Sequence, residues 1–109
     1  MSDYFQEFNV SITVSDTEGK VIWMNDKAKS VNYGDFTDKN LFDCHPEPAK
    51  TKLSDLFNNQ NTNVYTIEKG GVKKLIYQSP WYEKNEFAGY IELSIEIPFE
   101  MPHYIRKPK

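Results

Sequence analysis

Between Phe87 and Ile97 the chain alternates with a period of two. Ile91, Leu93, Ile95 and Ile97 fall on one side, and Tyr90, Glu92, Ser94 and Glu96 on the other. Successive residues of a strand point to opposite faces, so this run predicts a strand with one apolar face to bury and one wet or semi-polar face. That asymmetry belongs to an antiparallel sheet covered on one side. Pro98 ends the strand.

A single strand needs partners, and the segments before it supply them. Asn63 to Glu68 predict a strand, Lys69-Gly70-Gly71 a turn, and Val72 to Tyr82 a longer strand with Leu75, Tyr77, Ser79 and Trp81 on one side. Glu83-Lys84-Asn85-Glu86 make the turn into the last strand. Near the start, Val10, Ile12 and Val14 alternate with Ser11 and Thr13, Asp16-Thr17-Glu18-Gly19 form a turn, and Val21 to Met24 return. A lone hairpin is marginal in water, so this unit must pair with the later sheet.

The middle changes period. Asn25 suits the N-cap of a short helix over Asp26 to Val31, and Asn32 to Asn40 read as loop or one helical turn. Pro46 and Pro48 stop any earlier structure. Ala49, Leu53, Leu56 and Phe57 then recur at i, i+4, i+7, i+8, with Lys50, Lys52 and Asp55 outside that face. Pro48 suits the first helical position, where its missing N–H costs nothing. The helix runs out in Asn58 to Asn61. Two strands, short helices and three strands predict an α+β fold: a five-stranded antiparallel sheet with short helices packed across one face.

The 109 residues suit one domain, with a core over about residues 9–98 and flanking segments 1–8 and 99–109. The hydrophobic fraction, 39%, is low, but seven Phe, seven Tyr and two Trp supply large burial per residue, so the predicted core is small. A net charge of −3 with mixed signs argues against nucleic acid as a partner. The basic tail Arg106, Lys107 and Lys109 is too short to change this and reads as a solvated terminus. One cysteine forms no internal disulfide. Met1 to Tyr4 lack a signal-peptide character and no apolar run is long enough to span a bilayer, so the expectation is a cytoplasmic protein with no membrane contact.

No Ser/His/Asp order, glycine-rich phosphate loop or paired carboxylates mark a catalytic centre, and His45 and His103 stand far apart; a non-enzyme is expected. Chemistry concentrates in Leu41-Phe42-Asp43-Cys44-His45-Pro46-Glu47-Pro48. Thiolate and imidazole are both iron ligands, though one of each is too few for zinc. Three readings stand: Cys44 as a small buried hydrophobe with His45 bonding the helix start, Cys44 or His45 as a ligand to haem iron or another group, and Cys44 as a reactive thiol. Trp23, Tyr77 and Trp81 lie on strands expected to line the inner face. There they fill the core or stack on a planar ligand.

The segment 14–25, VSDTEGKVIWMN, resembles the opening of a PAS domain, and Asn25 stands where that family commonly has its Asn. The segment 85–97, NEFAGYIELSIEI, resembles the closing strand, with a Gly before a long alternating run. The order of elements matches over residues 9–98. Residues 44–57, CHPEPAKTKLSDLF, resemble the Cys-His-Pro start of the long helix in a subset of bacterial PAS domains, including ones joined to hemerythrin-like domains. Those tend to read Cys-His-Pro-Pro; Glu47 stands between the prolines here, a departure of little expected weight for helix initiation. The resemblance implies a stand-alone sensory domain whose cavity between sheet and helices binds haem or another small molecule. Cys44 and His45 would be candidate iron ligands on the cavity wall, beside Trp23, Tyr77 and Trp81. It further implies a homodimer formed through segments flanking the sheet, such as Tyr4 to Phe8 and Met101, Tyr104 and Ile105, or contact with a separate signalling protein. The alternative is a ligand-free dimerisation module with a filled core. A flavin photosensor would carry its cysteine in an Asn-Cys-Arg-Phe segment, which Asp43 and His45 do not provide.

Overall fold

The computed structural model describes residues 3–109; Met1 and Ser2 lie outside the described residues. The order is α1 (Asp3–Gln6), β1 (Ser11–Ser15), β2 (Val21–Met24), α2 (Asp26–Val31), α3 (Leu41–Cys44), α4 (Ala49–Asn59), β3 (Asn63–Lys69), β4 (Val72–Glu83) and β5 (Glu86–Ile97). The strands form one antiparallel sheet in the order β2-β1-β5-β4-β3. The strongly alternating β5 is therefore the central strand, and the early hairpin joins the later sheet through β1 against β5.

Local chemistry explains the joints. The Asp16 carboxylate accepts from the backbone N–H groups of Glu18 and Lys20, both at 2.9 Å, which closes the hairpin turn. Asn25 is fully buried and uses its whole amide. Its Oδ1 accepts from Ile12 N and Ala28 N at 3.0 Å each, and its Nδ2 donates to Phe5 O at 3.0 Å and Val10 O at 2.7 Å. One side chain thus caps α2, fixes the start of β1 and holds the N-terminal segment. Gln6 Nε2 adds a bond to Asp26 Oδ1 at 2.7 Å, so the Tyr4–Phe8 region is tied to the start of α2. Gly89 sits at φ +141°, and a Cβ there would stand 2.0 Å from Ser15 O. Trp81, directly opposite Gly89, reaches across that gap and donates Nε1–H to the same carbonyl at 2.9 Å.

Register decides which side chains share a face. Asn63, Gln78, Glu92 and Thr13 are successive cross-strand partners, ending on Met24. Val64, Tyr77, Leu93 and Ile12 form the neighbouring row, on the opposite face. The helices cover the first of these faces: the Tyr90 hydroxyl, on the same side as Glu92, lies against the carbonyls of Leu56 and Asn61 at the end of α4.

This reverses the expected sense of burial for β5. Its semi-polar side meets the helices, and Ile91, Leu93, Ile95 and Ile97 form a half-exposed outer face. Alternation specifies two faces, not which one receives the helices. Here the apolar groups come from β2 and the segments over it: Val21 and Met24 of β2 and Ala28 of α2 make a buried cluster joined by Phe36 and Leu41. A second cluster packs Phe57 tilted against Tyr90 at 4.6 Å and edge-to-face against Phe42 at 5.2 Å between ring centres.

Candidate functional site

Between the inner sheet face and the helices lies a cavity of about 320 Å³. Met24, Phe36 and Leu41 supply apolar wall, Thr13 and Glu92 the floor, and Asn32 and Cys44 the exposed rim. A smaller cavity of about 120 Å³ lies under α4, against Leu53, Leu56, Tyr65 and Gln78. His45 and Glu92 line both.

The segment that carried the chemistry in the sequence builds the wall between them. Asn40 caps the single turn of α3, its side chain accepting from Phe42 N at 2.8 Å while its Nδ2 donates to Glu18 O at 3.0 Å. His45 ends the turn in extended backbone, with Nδ1 2.7 Å from Leu41 O. A carbonyl only accepts, so Nδ1–H is the donor of this bond. Cys44 is exposed, which corrects its reading as a small buried hydrophobe. Pro48 stands one residue before α4 rather than inside it. Glu47 does the capping: its carboxylate accepts the Thr51 N–H at 2.7 Å and the Thr51 hydroxyl. These bonds hold its carboxyl below the ordinary carboxylate range, the hydroxyl bond most of all. The departure from the Cys-His-Pro-Pro pattern is therefore the residue that starts the helix.

Trp23, Tyr77 and Trp81 are corrected in placement. They share one side as expected, but it is the outer side: Trp23 pairs with Val14, Tyr77 with Leu93 and Trp81 with Gly89. None of them lines the inner cavities. Of the residues singled out in the sequence, the structure brings Cys44 and His45 to the cavity and leaves the three aromatics behind the sheet.

Glu92 is the residue the sequence reading passed over. Burial pushes its carboxyl above the ordinary range, against His45 and the Gln78 amide, which favour the charged form. Across the cavity, burial and then the Glu92 charge raise the Tyr65 hydroxyl. The ion pairs among the described residues, Lys20–Asp38 at 3.6 Å and Lys29–Asp35 at 3.8 Å, lie on the surface and leave Glu92 without a salt bridge. Its one sequence signal was a carboxylate at the middle of the central strand.

Haem does not fit this geometry. His45 and Glu92 stand between two small cavities, where a porphyrin needs one continuous apolar slot, and a carboxylate occupies the floor. Among the described residues no group of three or more His, Cys, Asp or Glu could hold a metal ion. No helix among them is long and apolar enough to cross a membrane.

No protein-family model matches the chain, and no curated protein matches it. Solved structures do. A C-terminal domain from Streptococcus mutans superposes with a TM-score of 0.71 at 17% identity, over 84% of this chain and 78% of that one. The PAS domain of Bordetella pertussis BvgS gives 0.65 at 18%, over 86% and 81%. A sensory box sensor histidine kinase from Vibrio cholerae gives 0.65 at 10%, over 89% and 87%. At such identities the likeness is one of fold. The five-stranded antiparallel sheet with short helices on one face is thus that of a PAS-like domain, and the chain has the PAS fold.

Proposed function

We propose that this chain is a non-catalytic sensory domain that binds a small molecule in the cavity between the sheet and α2 to α4. It passes the change on through its outer sheet face to a second copy or to a separate signalling protein. The observation that carries the reading is the roughly 320 Å³ space over a polar row, at the low end of the size range of small-molecule sites. A filled core would have placed side chains there. Thermal-shift screening of a metabolite collection tests it, since a ligand that binds only the folded state raises the melting temperature. The expected result is a compound that raises it in the natural chain and not in Thr13→Phe, which fills the cavity. A stabilisation equal in both chains, or none from any compound, overturns the reading.

The outer face favours the pairing. Ile91, Leu93 and Ile95 of β5, Leu75 and Tyr77 of β4 and Val64 of β3 form a half-exposed apolar surface with no charged side chain among them. Contiguous surfaces of that character mark protein contacts.

A further inference from the structure

We propose that the molecule this cavity takes carries a positively charged amine, whose ammonium group pairs with the Glu92 carboxylate while its apolar part lies against Met24, Phe36 and Leu41. The inference rests on the reading of the cavity as a ligand site and adds the chemistry of the ligand. Among the described residues, Glu92 is the one acidic residue lining the larger cavity, and no lysine or arginine lines it. The carboxylate is also built in rather than loosely placed. Asn63 Nδ2 donates to Gln78 Oε1 at 2.9 Å, which turns the Gln78 amide N–H₂ toward Glu92, its cross-strand partner. Asn63, Gln78, Glu92 and Thr13 thus make a polar row across four strands, with the acid at the cavity floor.

An ionised carboxylate only accepts hydrogen bonds and has room for several. Gln78 supplies one donor. A half-buried charge with no counter-charge beside it is costly, and a cationic donor group offsets that cost. An ammonium supplies both the charge and the donors, and its arrival favours loss of the Glu92 proton. An anion is repelled by the same group.

Other titratable groups face Glu92 from the surrounding elements. His45 follows α3, Lys52 projects from α4 with its Nζ 5.7 Å over the Tyr65 ring of β3, and Lys69 and Lys74 line the groove beyond Ser94. None forms a salt bridge with Glu92. Ionisation of Glu92 as pH rises through its raised value favours the amine, so amine affinity rises with pH.

The test compares three probes of one shape, benzylamine, benzyl alcohol and benzoate, titrated into the full chain and followed through backbone amide NMR shifts. The expected result is saturable shifts at Thr13, Gln78 and Glu92 with benzylamine, binding about tenfold tighter than benzyl alcohol, as a charge-assisted bond allows. Benzoate leaves these amides unmoved. Glu92→Gln, with a dispersed spectrum showing that it folds, removes the preference for amine over alcohol, and Glu92→Asp retains part of it. Amine affinity climbs as pH rises through the raised Glu92 value in the natural chain and not in Glu92→Gln. Equal binding of amine and alcohol at these amides overturns the charge pairing while leaving the cavity as a ligand site. An amine preference that survives in Glu92→Gln, or amides unmoved by every probe, overturns it as well.

Discussion

At the scale of single residues, fully buried Asn25 and half-buried Glu92 show how differently two interior polar groups are treated. Asn25 has a partner for each donor and acceptor it offers. Asn25→Ala removes the cap of α2 and orphans backbone groups at β1, so we expect a loss of about 2–4 kcal/mol in denaturant unfolding. Glu92 is held in a cavity that disfavours its charge. Its folded pKa lies above the ordinary 4.5, so its neutral form stabilises the fold below that pH and the contribution is lost as pH rises through the raised value. Glu92→Gln should therefore melt higher than the natural chain at neutral pH, with the gap closing toward pH 4.5; a gap that widens on acidification would contradict this. Asn25 was legible in the sequence because an N-cap needs only its local neighbours. Glu92 was not, because a carboxylate on the polar side of a strand looks the same whether that side meets water or helices.

At the scale of elements, the strand pattern and the α4 face were readable because each rests on a regular period. α2 has the expected bounds, Asp26–Val31, and Leu53, Leu56 and Phe57 do face the sheet. The single turns of α1 and α3 were not readable, since four residues span one helical period and show no repeat of it. The start of α4 misled in a more specific way. Prolines drew attention to Pro48, but the orphan N–H at Thr51 is met by the Glu47 carboxylate. Glu47→Ala should fray the first turn and speed amide exchange at Thr51, with no change at the buried Asn25 joint. Because Glu47 titrates below its ordinary value, the natural chain should lose the same protection as pH falls through that lowered value, not above it.

At the scale of the whole molecule, one sheet has two unlike faces, and each suits a different task. The inner face carries the polar row and the cavity, and the outer face carries the apolar surface. Of the flanking segments, α1 is tied to the start of α2, and Met101, Tyr104 and Ile105 are exposed at 58%, 75% and 93%. If two copies meet there, light scattering should give twice the 12.8 kDa chain mass, and Leu93→Glu should return it to 12.8 kDa while keeping the circular dichroism of the fold. The central claim, that the inner cavity holds a small molecule, is tested most directly by native mass spectrometry of the chain after incubation with a metabolite extract. The account predicts a chain carrying one added small molecule, absent when Thr13→Phe fills the cavity; bare polypeptide mass in both, or the same adduct in both, would contradict it.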